Sequence, residues 1–171
     1  ILFASTVNSA NSTPRALTAN AGTSTITFTG AVGGAQGLGN ISLASTGTTT
    51  ISSSVNAASF TQNSITGTTA INGGSITTTG VQAYGNAVTL GSALTTLSTT
   101  NSNITFSNTL NSTTSSRALT LSAGSGAVSF SGIVGGTLAL GAVNSTAATT
   151  TNSATISGAG AYNVTGAAAF N

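Results

Sequence analysis

The most constraining feature of the sequence is that its second part repeats its first. Arg15-Ala16-Leu17-Thr18 returns as Arg117-Ala118-Leu119-Thr120, at an offset of 102 positions. The match continues through Ala21-Gly22 with Ala123-Gly124, Phe28 with Phe130, Gly30 with Gly132, Val32-Gly33-Gly34 with Val134-Gly135-Gly136, and Leu38-Gly39 with Leu140-Gly141. Long internal repeats indicate an architecture of stacked units. We therefore expect residues 1–171 to form one segment of a longer repetitive protein, with a first copy at 1–103 and a shortened second copy at 104–171.

The second copy is shorter because it lacks an internal segment of the first. Tyr84 matches Tyr162 at an offset of 78 rather than 102, although both flanks of the gap remain recognisable. A β-sandwich would lose an integral strand pair by such a deletion, whereas a solenoid simply becomes shorter. The pattern therefore predicts a β-solenoid with about 24 residues per coil, and a sandwich is the less favoured alternative.

The local pattern predicts short strands. Apolar and polar residues alternate over three to five positions, which is the period of a half-buried strand, and Val, Ile, Thr and Phe favour strands. Gly, Asn and Ser clusters such as Asn72-Gly73-Gly74 separate these segments and are typical of turns. No segment has a helical period. The predicted fold class is all-β, a parallel β-helix.

The same alternation predicts which side chains face the interior. Each coil has to bury its apolar positions against the next coil, so the apolar members of the short strands form the predicted core. They are Ile26, Phe28, Ile41, Leu43, Ile51, Phe60, Ile71, Val88, Leu90, Ile104, Phe106, Val128 and Phe130. The repeat further predicts that Arg15 and Arg117 occupy superimposable places, as do Phe28 with Phe130 and Tyr84 with Tyr162.

Composition excludes most chemistry. The chain contains no Asp, Glu, His or Cys, and its two basic residues are Arg15 and Arg117. General acid–base catalysis and metal binding draw on the missing side chains, so we expect no enzyme, no catalytic residue, no cofactor and no metal site. Two arginines so far apart in sequence form no basic patch, so we expect no nucleic-acid partner. A net charge of +2 gives weak repulsion between copies, which favours self-association.

The apolar runs are too short for a membrane span. None approaches the ~18 residues that a transmembrane helix needs, so we expect no transmembrane segment. The sequence begins Ile1-Leu2-Phe3, without an initiator Met or a signal-peptide pattern, and we interpret it as a processed or excised piece of a longer chain.

The repeat motifs resemble a known class. Arg-Ala-Leu-Thr, Phe-x-Gly, Val-Gly-Gly and Leu-Gly, followed by the segment from Thr69 to Gly80, resemble the β-strand repeats of very large bacterial surface proteins related to filamentous haemagglutinin. The resemblance covers nearly the whole chain. It implies a right-handed parallel β-helix stalk that is secreted and displayed, and hence an extracellular or cell-surface location.

The residues that could bind a ligand are predicted to have structural roles, and a binding role is the alternative for only a few of them. Arg15 and Arg117 are predicted to be solvated or carbonyl-bonded, with contact to an anionic glycan or lipid head group as the alternative. Tyr84 and Tyr162 are predicted to stack on a neighbouring coil, with a sugar-binding platform as the alternative. Threonines at 23–29 and 77–79 resemble ice-binding faces, but in the sequence they are scattered. Asn-x-Ser/Thr triplets, the acceptor pattern for N-glycosylation, are attributed to chance in a chain this rich in Ser, Thr and Asn. They begin at Asn11, Asn40, Asn103, Asn111, Asn144 and Asn163. The loop at Val32-Gly33-Gly34 is predicted to be a turn.

Two functions fit this sequence. The first is a structural protein that self-assembles into an extracellular fibre or matrix of a bacterial surface, with other copies of itself as partners. The second is a monomeric adhesin stalk that presents a binding domain outside this segment to a glycan or host surface. Strand edges at open solenoid ends favour the first, because they are templates for adding another chain.

Overall fold

The computed structural model describes residues 1–114, 116–157 and 160–170, and within them the chain is all-β, with no helix and with parallel pairing. The strands are β1 (Leu2–Phe3), β2 (Leu17–Gly22), β3 (Ile26–Phe28), β4 (Leu38–Ser45), β5 (Thr48–Ile51), β6 (Val55–Gln62), β7 (Thr68–Ile71), β8 (Ser75–Thr78), β9 (Gln82–Tyr84), β10 (Ala87–Leu90), β11 (Leu94–Thr99), β12 (Ile104–Phe106), β13 (Leu110–Ser112), β14 (Ala118–Ser122), β15 (Ala127–Phe130), β16 (Val143–Asn152) and β17 (Tyr162–Phe170).

These strands wind into a β-solenoid of about 8 turns, and each turn crosses three faces. Face A is the sheet β1-β3-β5-β7-β10-β13, continued by bridges at Val134 and Ile156. Face B consists of bridges at Val7 and Val32, then β8, β11, β14 and the first parts of β4, β6, β16 and β17. Face C consists of β2, β9, β12, β15 and the second parts of β4, β6, β16 and β17.

The length of a turn varies along the solenoid. Leu2 pairs with Thr27 at the start of the rod, whereas Ala70 pairs with Thr89 near its middle, so the first turn is the longer one. The mean is about 22 residues, slightly below the length predicted from the deletion. The corners absorb the difference, because the strands must stay in register while a loop between two faces can project outward.

The interior is built from the predicted apolar positions. All thirteen predicted core residues are buried, with at most 2% of any one exposed. Alternation along each strand places every second side chain inward, and parallel pairing sets equivalent inward residues above one another. The resulting columns also include residues that the sequence pattern did not single out: Val32, Ile76, Leu97, Leu110, Leu119, Leu121, Val134, Leu140 and Val143.

One inward column of face C carries a stack of aromatic rings. Tyr84, Phe106 and Phe130 lie above one another in successive turns, with ring centroids 5.0 and 5.2 Å apart and interplanar angles of 11° and 6°. Phe60 extends the stack from the adjacent inward column, and its ring is tilted by 36° at 5.6 Å from that of Tyr84. Stacking of this kind stabilises beyond simple burial, so the aromatic stack reinforces the register between turns.

The repeat does not superimpose on the solenoid as expected. Leu17 pairs within face C but Leu119 pairs within face B, so the offset between the copies is four turns plus two of the three faces. Phe28 and Phe130 both point inward, yet they lie on faces A and C. Tyr84 and Tyr162 lie on faces C and B. The expectation of superimposable places is therefore wrong for position around the rod, because the offset is not a whole number of turns.

The shortening of the second copy does correspond to a whole turn. From Leu17 to Tyr84 the chain returns to face C after three turns. From Leu119 to Tyr162 it returns to face B after two turns. The missing segment is therefore one turn of the solenoid, and its loss leaves the following residues on the same face.

We predict that truncating the aromatic stack destabilises the fold strongly. Phe106→Ala should lower the free energy of unfolding by about 3–5 kcal/mol, because it opens a cavity in a buried stack. Its outward neighbour provides the matched control, since Thr105→Ala should change the stability by less than ~0.5 kcal/mol. Urea unfolding of the two variants would contradict the inward assignment if their midpoints were equal.

We also predict that the solenoid tolerates removal of one turn. Deleting residues 50–69 brings Ala70 to the place of Thr50, its partner in the ladder, so the remaining strands keep their faces. The variant should retain a β-type circular dichroism spectrum and a cooperative thermal transition. Deleting residues 50–59 instead puts the inward Phe60 at an outward position, and this control should fail to fold.

Candidate functional site

The two arginines lie at corners of the solenoid that share the same local backbone hydrogen bonds. The backbone N–H of Arg15 donates to Ser9 Oγ at 2.8 Å, and its carbonyl oxygen accepts from the N–H of Gly39 at 2.8 Å. The backbone N–H of Arg117 likewise donates to Ser112 Oγ at 3.0 Å, and its carbonyl accepts from the N–H of Gly141 at 2.8 Å. The backbone at both arginines is therefore structural.

The arginine side chains differ in exposure. Arg15 is exposed, whereas Arg117 is half-buried and its Nη2 donates to Thr114 Oγ1 at 3.2 Å. The two corners lie on different edges of the rod, between faces B and C for Arg15 and between faces A and B for Arg117. The structure therefore does not bring the two guanidinium groups together into one anion site.

Asparagine and glycine complete the same corner motif. Asn8 Oδ1 accepts from the N–H of Ala35 at 3.0 Å, and Asn111 Oδ1 accepts from the N–H of Thr137 at 2.9 Å. The bends above these corners contain Gly33 at φ 71°, and its repeat equivalent has φ 73°. A Cβ at Gly33 would overlap a carbonyl oxygen of the neighbouring turn, so the Val-Gly-Gly loop is a structural bend, as predicted.

Three of the remaining triplet asparagines also bind the backbone or one another. Asn103 Oδ1 accepts from the N–H of Ala127 at 2.9 Å, and Asn163 Nδ2 donates to Asn144 Oδ1 at 2.7 Å. Asn11 and Asn40 are exposed, and Asn11 has a positive φ of 63°. The asparagines mostly stabilise the connections between turns.

Tyr84 lies in the core and cannot serve as a sugar platform. Its ring is fully buried, and its hydroxyl donates to Gln82 Oε1 at 2.9 Å. Gln82 Nε2 in turn donates to the carbonyl oxygens of Ile76 at 3.0 Å and Ser98 at 2.8 Å. This buried polar network fixes the Tyr84 ring within the aromatic stack. Tyr162 is half-buried and packs against the core.

We predict that burial of the tyrosines makes stability fall in alkali. Burial raises the pKa of Tyr84 far above the ordinary value of about 10, and it also raises the pKa of Tyr162. Above pH ~10 the unfolded chain releases these protons while the folded chain keeps them, so the stability decreases as pH rises. Chemical unfolding of the wild type at pH 9 and pH 12 measures this loss.

The matched variants assign the loss to a residue. Tyr84→Phe should be less stable than the wild type at neutral pH, because Gln82 Oε1 loses its donor, but its stability should fall less between pH 9 and pH 12. Tyr162→Phe should retain more of the wild-type pH dependence, because Tyr162 is only half-buried. Equal pH dependence in the wild type and Tyr84→Phe would contradict the assignment.

Threonines on face A stand in interrupted rows rather than at scattered positions. Thr27 pairs with Thr50, and Thr48 pairs with Thr68, so residues far apart in sequence become neighbours at about 4.8 Å. Ala70 and Ala87 interrupt the two rows. The expectation of scattered threonines is corrected here, but among the described strands the rows do not provide a threonine in every turn.

The two ends of the solenoid expose strand edges. At one end β1, Val7 and β2 have partners on one side only, and Ile1 and Leu2 are 49% and 66% exposed. At the other end, among the described strands, β17 pairs with β16 alone, and most of its residues are exposed. Each edge has backbone N–H and C=O groups that can pair with a further strand, of the same polypeptide or of another.

One shallow groove lies beside the first corner. It has a volume of about 190 Å³ and is bordered by the loop around Ser12 and Pro14 and by the side chains of Gln36 and Asn56. No titratable side chain lines it.

In the described part of the chain no helix is long and apolar enough to cross a membrane.

No protein-family model, curated protein or solved structure matches this chain.

Proposed function

We propose that this chain is a non-enzymatic structural protein whose solenoid rods join into an extracellular fibre or matrix on a bacterial cell surface. The observation that carries the proposal is the parallel ladder of about 8 turns, because any turn that ends such a ladder presents unpaired strand edges. An unprotected edge strand is a template for pairing with another chain. Charged side chains on an edge strand are a common device that blocks such pairing, and none of the described strands carries one.

The uncharged composition supports the same proposal. The chain has two positive and no negative side chains, so copies approach one another with little electrostatic repulsion. It offers no carboxylate side chain, imidazole or thiol for catalysis, which supports a passive role. The resemblance of the repeats to those of large secreted bacterial surface proteins supports the proposed location.

We predict that the purified chain forms ordered filaments visible by negative-stain microscopy. A single rod of about 8 turns should be roughly 38 Å long at a spacing of ~4.8 Å per turn, so filaments longer than this require association. Isolated short rods over a wide range of protein concentration would contradict the fibre proposal. That outcome would favour the monomeric adhesin stalk instead.

We predict that assembly depends little on salt. Salt screens interactions between exposed charges, and this chain has almost none, so filament yield should be nearly equal at ~50 mM and ~500 mM NaCl. Sedimentation of filaments at the two concentrations measures the yield. A steep fall of the yield with salt would show that charge pairing drives assembly, and it would contradict the proposed role of strand edges.

A further inference from the structure

We infer that Asn72 is a site of spontaneous deamidation, that the folded solenoid protects it, and that the unfolded chain converts it irreversibly. Deamidation replaces the side-chain amide of asparagine with a carboxylate, and it is one reason why asparagine is a thermolabile residue. The site lies at the corner between β7 on face A and β8 on face B, away from both ends of the rod. The inference is independent of the proposed fibre.

The local sequence favours the reaction. Asn72 precedes Gly73, and this is the one Asn-Gly pair in the sequence. Deamidation begins when the main-chain nitrogen of the following residue attacks the side-chain carbonyl carbon, and glycine has no side chain that hinders this approach. The Asn72 side chain is exposed, and its amide makes no hydrogen bond within the described part of the chain. No side-chain partner therefore protects this amide.

The fold itself requires a glycine after Asn72. A Cβ on Gly73 would overlap the backbone of Ser53 in the preceding turn, so a larger residue cannot take this place. In the following turn, a Cβ on Gly91 would overlap Asn72 Oδ1, so the Asn72 side chain lies directly against the Gly91 backbone. The close packing of three successive turns thus keeps a reactive pair at this corner.

The backbone hydrogen bonds of the same corner oppose the reaction. The carbonyl oxygen of Ile51 accepts from the N–H of Asn72 at 2.8 Å and from the N–H of Gly73 at 3.0 Å. The attack requires the Gly73 nitrogen to lose its proton and to turn toward the Asn72 side chain, which breaks the second of these bonds. On the other side, the N–H of Gly91 donates to the carbonyl oxygen of Ile71 at 2.9 Å. The corner therefore has to open before Asn72 can react.

The reaction needs only water as a co-reactant. The Gly73 nitrogen gives its proton to solvent and forms a bond to Cγ of Asn72, while the bond from Cγ to the side-chain nitrogen breaks and ammonia leaves with a proton from water. Water then opens the cyclic imide. Cleavage of the new bond leaves aspartate at position 72. Cleavage of the original peptide bond leaves isoaspartate, in which the main chain runs through the former side chain.

The isoaspartate product is incompatible with this corner. It adds one carbon to the main chain between Ile71 and Gly73, although the corner has to keep β7 and β8 in register on two faces. The backbone of Gly73 already lies too close to Ser53 to admit a further carbon. Both products also introduce a negative charge into a chain that has no acidic side chain. A rod that has once opened is thereby marked permanently.

The first experiment incubates the wild-type chain, folded in buffer or unfolded in guanidinium chloride, at one mildly alkaline pH, and follows Asn72 by peptide mapping with mass spectrometry. We expect the folded chain to convert at least about tenfold more slowly, because its corner has to open first. A peptide of residues 68–77 in both solutions corrects for the denaturant. Equal rates would overturn the protection. Conversion of Asn72 in the unfolded chain no faster than that of Asn63, which precedes a serine, would overturn the site.

The second experiment returns the converted chains to buffer and measures their thermal unfolding. Asn72→Asp is the matched control, because it has the new charge on a main chain of normal length, and it should show a cooperative transition. The isoaspartate chains should not regain this transition. Isoaspartate chains that refold as Asn72→Asp does would overturn the irreversible step. Failure of Asn72→Asp to fold would show that the charge alone is disruptive, and it would overturn the role of the lengthened main chain.

Discussion

The structure depends on the stacking of each turn on the turn below it. A parallel ladder fixes every residue relative to its partner about one turn away, and a slip of one residue would turn an inward column outward. The apolar columns and the aromatic stack of Phe60, Tyr84, Phe106 and Phe130 hold this register from inside. The corners only have to connect the faces, which explains why turns of different length coexist in one rod.

The same constraint governs the buried polar groups. Thr49 and Thr69 interrupt the apolar column that contains Ile26 and Val88, and both are fully buried. Thr49 Oγ1 accepts from Gln62 Nε2 at 2.8 Å, and Thr69 Oγ1 donates to Asn86 Oδ1 at 2.8 Å. These hydrogen bonds offset part of the cost of burying the groups, while Gln62 Oε1 and Asn86 Nδ2 are buried without a hydrogen-bond partner. The interior therefore holds these polar side chains where a second polar side chain lies within hydrogen-bonding distance.

Much of the architecture could be predicted from alternation and repetition. The short apolar-polar-apolar segments predicted strands, their period predicted inward residues, and the one-turn deletion predicted a solenoid. The burial of Val32 and Val134 was not predicted, because each makes only isolated bridges within a glycine-rich bend and no alternating pattern surrounds it. Leu97 lies among threonines and serines that hide its period, whereas Leu119 and Leu121 alternate around Thr120 and were predictable from the same pattern. The threonine rows of face A could not be predicted, because they depend on turn lengths that vary from one turn to the next.

The offset between the two copies determines how the molecule looks from its sides. Because this offset covers four turns and two of three faces, the second Arg-Ala-Leu-Thr corner is rotated by about a third of a revolution from the first. Identical sequence is thus displayed at a different azimuth. Loss of a complete turn leaves that azimuth unchanged, whereas loss of part of a turn would rotate everything that follows. Insertions and deletions of whole turns can therefore change the length of the rod without changing the direction in which any later residue faces.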